Sequence, residues 1–165
     1  MAIVHAVQTV QDGRADFDFL MGDWKGYNRR LRERLKGSTE WEEFDSEVTV
    51  RPILGGLGNF DEVVFNRSTG QGHGATLRLF DIETQQWRIY WADGSHGILD
   101  VPMIGTFENG RGEFFAQEMF EGKPIFNRFI WTYSSENACH WEQAFSPDGG
   151  KTWETNWTMD FTRIA

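Results

Sequence analysis

Cysteine occurs once in these 165 residues, at Cys139. An internal disulfide, a cysteine-based zinc site and a redox pair are thereby excluded, and a reducing cytoplasm is the expected setting. Proline occurs only 4 times, widely spaced, and no low-complexity or Pro/Ser-rich tract offers a linker on which to divide the chain. The expected organisation is an N-terminal extension over 1–15 and a single domain over 16–165. Positive charge is scarce: 16 Lys plus Arg stand against 25 Asp plus Glu, a formal charge of -9. A field of that sign repels nucleic acid and anionic membrane surfaces, so neither is an expected partner. Long apolar runs are missing too. The stretch from Ile3 to Val10 is interrupted by His5 and Gln8, lacks a basic flank and is followed by charged sequence, which reads as neither a span nor a leader. The 4 histidines, His5, His73, His96 and His140, show no H-x-H, H-x-x-x-H or H-E-x-x-H spacing, so no metal site is expected.

Aromatic residues, by contrast, are plentiful: 14 Phe, 8 Trp and 3 Tyr, with 18 Gly placed between them. Segments of roughly six to twelve residues rich in Val, Ile, Thr, Phe, Tyr and Trp alternate with short turn clusters, the spacing of an all-β fold with about ten strands. Asn109-Gly110 suits the positive φ angles of a type I′ turn and predicts a hairpin between 105–108 and 112–115. Gly37-Ser38 fits a type II′ turn joining strands over 24–36 and 39–50. Further strands are expected over 59–66, 74–82, 86–92, 125–133, 138–145 and 152–163, and a short helical turn over Asp16–Met21. The glycine-rich run Gly70 to Gly74 lacks a following Lys-Ser/Thr and helix, so it reads as a flexible hairpin loop before a phosphate cradle. Alternation gives each strand an inside: Trp87, Ile89 and Trp91 share a face, as do Cys139, Trp141, Gln143 and Phe145, and Trp153, Trp157, Met159 and Phe161. A meander of this many antiparallel strands removes its edges most simply by closing, and an up-and-down β-barrel of about eight to ten strands is favoured over a sandwich.

The run Asp16-Phe17-Asp18-Phe19-Leu20-Met21-Gly22-Asp23-Trp24 sets a Gly-x-Trp at the mouth of the first strand, behind a helical turn. This resembles the opening of lipocalin-like (calycin) barrels. The resemblance implies that Trp24 plugs the closed end of a barrel and that Arg163, from the last strand, packs across it. Together with Asn28-Arg29-Arg30-Leu31, Trp141 to Ser146 and Trp153 to Trp157, this start resembles the DUF1579 family of bacterial proteins of unknown function, described as lipocalin-like, over about Asp16 to Arg163. That likeness implies a fold and a possible internal cavity, and brings no reaction or ligand.

Ser146-Pro147-Asp148-Gly149-Gly150-Lys151-Thr152-Trp153 matches the Asp-box pattern once, in a chain too short for a propeller, and reads as an Asx-type hairpin turn with Asp148 accepting backbone bonds. On the first hairpin, the Gly37-Ser38 centre sets Arg32 opposite Glu43, Arg30 opposite Asp45 and Asn28 opposite Glu47, with Tyr27 and Leu31 facing Val48 and Phe44 as a core stripe. Trp24 shares parity with the charged row. Either a bulge at Gly26 resets the alternation and leaves the ion pairs outside, which is favoured because solvated charge ladders are common, or the strand is regular and Asn28 and Arg30 enter a polar lumen.

Polar residues within apolar strands mark the candidate site, because burying an unpaired charge costs several kcal/mol. Asp61 lies with Val63 and Phe65, Arg78 with Phe80 and Ile82, Glu118 with Phe114 and Phe120, Arg128 with Phe126 and Ile130, and Gln143 between Trp141 and Phe145. Trp131 and Trp157 would supply apolar walls. The competing explanation is that these groups pair with one another or face water. The expected function is lumenal binding of a small, partly apolar molecule, with Arg30, Arg78 or Arg128 meeting a carboxylate or phenolate. The alternative is a cofactor-independent cyclase, isomerase or hydrolase using Asp61 or Glu118 as general acid or base and an Arg to hold negative charge. No cofactor is expected, although a haem barrel with one axial histidine is compatible with the architecture. Exposed tryptophans would instead mark a homodimer or protein-interaction surface.

Overall fold

The computed structural model describes residues 12–165; the Ile3–Val10 stretch lies outside them. Ten antiparallel strands follow one another around a closed barrel: β1 (Gly22–Leu31), β2 (Trp41–Ile53), β3 (Gly58–Arg67), β4 (Gly70–Asp81), β5 (Gln86–Asp93), β6 (Met103–Glu108), β7 (Arg111–Phe120), β8 (Lys123–Ser135), β9 (Ala138–Ser146) and β10 (Glu154–Arg163). Each pairs with its neighbour in sequence, and β10 closes on β1 with Trp24 opposite Arg163. Among the described residues, no helix is long and apolar enough to cross a membrane.

The turns follow local chemistry. Asn109 and Gly110 both take positive φ (52° and 76°), the type I′ geometry that the dipeptide favours, and join β6 to β7. In the Asp-box loop the Asp148 carboxylate accepts from the Thr152 backbone N–H (2.9 Å), the Thr152 hydroxyl (2.6 Å) and the Ser146 hydroxyl (2.9 Å). Those donors hold its pKa down to about 2.

One end of the barrel is shut by the chain before β1. Two 3-10 turns, Gly13–Ala15 and Asp18–Leu20, carry Phe17 into the core, where its ring meets Trp87 and Phe107 edge-on at 4.9 and 4.8 Å. Trp87 donates its indole N–H to the Gly13 carbonyl (3.0 Å), so residues of the expected extension are tied to β5. Trp24 is buried and donates to the Leu20 carbonyl (2.8 Å). Over its ring, at 4.1 Å, lies the Arg163 guanidinium, which also donates to the carbonyls of Met21 (2.5 Å), Phe19 (2.8 Å) and Glu136 (2.9 Å). The floor stopper and its arginine cover stand as the calycin resemblance implies.

Four expectations are corrected. The first hairpin does not turn at Gly37-Ser38: β1 stops at Leu31, and a loop over 32–40 leads to Trp41. Arg30 therefore faces Glu42 instead of Asp45, and Asn28 faces Phe44. With that shift Phe44 and Val48 join the row of Trp24, Asn28 and Arg30, no bulge forms at Gly26, and Tyr27 points outward, 42% exposed. Second, Gly70 to Gly74 belong to β4, paired with β3 as far as Arg67↔Gly70, so the turn is Ser68-Thr69. The third concerns β10, where the register shifts between Thr155 and Trp157. The extra residue, Asn156, separates Trp153 from the inward row of Trp157, Met159 and Phe161. Last, Ile82 lies beyond β4 and is 54% exposed, so it is no companion of Arg78.

Candidate functional site

Above the Trp24 floor the barrel encloses a cavity of about 770 Å³. Its opening lies at the end where the loops 32–40, 94–102 and 147–153 emerge. Inward-facing aromatic residues build the walls, Phe44, Phe65, Trp91, Trp131, Trp141 and Trp157 among them. Edge-to-face and tilted packing fixes these rings: Trp141 and Trp157 lie 5.4 Å apart, and Phe65 and Trp157 5.5 Å apart. Trp131, Trp157 and Gln143 line the cavity as expected from their alternation, with Gln143 donating to Asn156 Oδ1 (2.9 Å).

The charged residues separate into those already answered and those left open. Asp61 and Arg78 both line the lower cavity and form an ion pair at 2.7 Å, each side chain only 4% exposed. Arg78 also donates to Asn59 Oδ1 (2.9 Å) and sits over the Phe17 and Trp131 rings. Of the two explanations open for this pair, mutual neutralisation is the one seen, and the charge that Asp61 would bring to acid–base chemistry is engaged by Arg78. Arg67 is likewise held by Glu42, with bonds of 2.5 and 3.1 Å.

Arg30 and Arg34 differ. Both line the cavity near its mouth; Arg30 lies over Trp157 at 4.8 Å, and Arg34 over Phe120 and Phe145 at 5.0 and 5.4 Å. Among the described residues neither forms a salt bridge or side-chain hydrogen bond within the protein. Burial, followed by the like charges of Arg34 and Arg67, lowers the Arg30 pKa to about 10. Burial also lowers that of Arg34. Arg34 reaches the mouth because the 32–40 loop folds over it: Leu35 takes φ 59°, its N–H donates to Glu154 (2.7 Å), and Lys36 pairs with Glu121 at 3.5 Å. Sequence reasoning missed Arg34 by continuing β1 through it. Its place in the alternate-residue series Arg30, Arg32, Arg34 was the available signal.

Two expected ligand contacts lie elsewhere. Asn28 is fully buried behind the wall, donating to Ser46 Oγ (2.9 Å) and accepting from the Trp157 indole N–H (3.0 Å). Its amide thus positions Trp157 and has no face toward a ligand. Arg128 points to the outside of the barrel, where its guanidinium stacks on Trp153 at 4.4 Å, while its neighbours Asn127 and Phe129 face the cavity. Phe126 and Ile130 share the outer row of β8 with Arg128, as Phe129 and Trp131 share the inner one with Asn127, so alternation alone could not choose between the two faces.

Glu118 lines the cavity on β7 and accepts from Asn127 Nδ2 (3.2 Å). Burial raises its pKa, and the Asp100 charge adds to the rise against the lowering effects of the Asn127 bond and Arg34. Cys139 is buried on β9, its thiol pushed up to about 12 by burial. Its neighbour His140 faces outward between Asp160 (2.7 Å) and Glu142 (3.2 Å), so the two cannot act as a pair. Among the described residues, no group of three or more His, Cys, Asp or Glu side chains could hold a metal ion.

No family model matches the sequence, and no curated protein matches it. Solved structures do: the S-type phycobiliprotein lyase CPES from Guillardia theta is similar, with a TM-score of 0.61 and 9% identity over 94% of each chain. At that identity the likeness shows the fold, a calycin-like closed barrel.

Proposed function

We propose that this protein binds a small, partly apolar molecule bearing an acid group, its body among the lumenal aromatic residues and its acid on Arg30 and Arg34. One observation carries the reading: two partly buried guanidiniums face an aromatic-lined cavity and, among the described residues, neither makes an ion pair or hydrogen bond with a carboxylate. Cations withdrawn from water are unfavourable until a counter-charge arrives, and a carboxylate, sulfonate or phenolate delivers one with charge-assisted hydrogen bonds. Nearby Arg78 and Arg67 already have theirs. That a barrel of similar fold belongs to a phycobiliprotein lyase supports an interior put to use, without naming a ligand for this chain. Membership of the DUF1579 family and a cytoplasmic setting belong to the same reading and rest on the sequence alone.

The test compares anilinonaphthalene sulfonate with N-phenylnaphthylamine, the same aromatic body with and without an acid. The sulfonate is expected to bind about tenfold more tightly by calorimetric titration. Arg30→Gln and Arg34→Gln should each remove most of that preference and leave the neutral probe unaffected. Arg128→Gln, on the outer face, should change neither. Equal affinity for the two probes, or an Arg128 effect as large as that of Arg30, overturns the reading.

A further inference from the structure

The wall of β7 and β8 and the adjoining rim hold the opposite chemistry. Glu118 presents a carboxylate to the cavity, and among the described residues the one donor that reaches it is Asn127 Nδ2 (3.2 Å). That bond leaves Asn127 Oδ1 buried and without a hydrogen-bond partner, on a side chain that lines the cavity and is only 4% exposed. Asp100, from the loop between β5 and β6, also lines the cavity and has no side-chain hydrogen bond or ion pair among the described residues. It is close enough to Glu118 for its charge to be felt there. Two carboxylates and an amide oxygen therefore line this one cavity, and among the described residues a single amide N–H answers them.

Such a group asks for a donor, and a protonated amine brings three N–H bonds and a positive charge. A neutral hydroxyl would satisfy one acceptor and leave the like charges of Glu118 and Asp100 unanswered. The facing cation, Arg34, stacks on Phe120 and Phe145 and hydrogen-bonds to neither carboxylate.

We propose that Glu118, Asn127 and Asp100 form a subsite for a protonated nitrogen, making the natural ligand an amphipathic zwitterion with its acid on Arg30 and Arg34. This rests on the reading of the lumen as a binding site and adds a second polar group to the ligand. Burial raises the Glu118 pKa, and the supporting sign follows: the preference for a cation is lost as pH falls through that raised value.

The experiment uses the intact chain and a second probe pair, monodansylcadaverine, which ends in a primary amine, and its neutral N-pentyl dansylamide counterpart. The amine is expected to bind about tenfold more tightly at neutral pH, with the preference fading on acidification. Glu118→Gln should erase that preference while the sulfonate probe keeps its advantage over N-phenylnaphthylamine. Asp100→Asn, on an exposed loop where folding is not at stake, should reduce the preference about threefold. Equal binding of the two dansyl probes to the wild type, with the sulfonate preference intact, overturns the amine subsite alone. Loss of both preferences overturns it together with the lumenal reading.

Discussion

What separates one arginine from another in this barrel is the group that answers its charge. Arg78 has Asp61 at 2.7 Å and Arg163 has three backbone carbonyls, whereas Arg30 and Arg34 have aromatic faces and the cavity. Sequence could supply the residue types and not their partners, which is why Asp61, Arg78 and Arg30 all read as equal candidates. At Asp148 the local sequence was sufficient, because every bond to its side chain comes from within the same hairpin. Its pKa falls from an ordinary 3.8 to about 2 in the fold. A depressed carboxylate contributes stability that is fully present above its unfolded value and is lost as pH falls through the folded one. Asp148→Asn is therefore expected to destabilise the protein at neutral pH, with the gap to the wild type closing between about pH 4 and pH 2. Urea denaturation across that range measures the gap. A gap that stays constant would show that the carboxylate's charge does not stabilise the turn.

Strand existence was legible across most of the chain, since period-two alternation of large apolar residues survives in β3, β5 and β9, each bounded by turn residues. Register and parity were less so. A nine-residue loop and a two-residue turn over 32–40 bury different neighbours, and nothing local in Gly37-Ser38 distinguishes them. The one-residue bulge at Asn156 reverses the faces on either side of it, and its role, accepting from Gln143 on β9, depends on a partner thirteen positions away. The glycine run of β4 failed as a turn for another reason: glycine there makes room for an aromatic. A Cβ on Gly74 would lie 2.0 Å from Trp91 Cη2, so the indole occupies the place of the missing side chain. Gly74→Ala must displace that indole along the cavity wall. Overpacking of this kind costs about 1–3 kcal/mol, and the sulfonate probe should bind about threefold more weakly as the mouth changes shape. Chemical denaturation and calorimetric titration of the one variant check both effects. An unchanged stability would mean that Trp91 relocates freely, and the probe affinity would then report the altered mouth by itself.

Closure is the property on which the molecule as a whole depends, because ten strands enclose a cavity only if β10 finds β1. Fold class was readable from the meander of short strands, and the calycin resemblance implied that Trp24 and Arg163, near the two ends of the described chain, would meet; their chemistry is complementary, a broad π face and a planar cation. The guanidinium does more than stack. Its three nitrogens bind carbonyls from the segment before β1 and from the β8–β9 turn, so a single side chain gathers the N-terminal plug, the last strand and a distant hairpin at one point. Arg163→Ala removes the cation and strips three carbonyls of their donor, at an expected cost of about 3 kcal/mol. Arg163→Lys should recover less than half of that loss, because one ammonium cannot spread over an indole and reach three divergent acceptors together. Urea denaturation of both variants, followed by tryptophan fluorescence and by far-ultraviolet circular dichroism, measures the losses. Since Arg30 and Arg34 lie at the opposite end of the lumen, binding of the sulfonate probe by the folded fraction should be unchanged in each. If lysine restores full stability, positive charge near Trp24 is sufficient and the forked carbonyl contacts are not what closes the barrel.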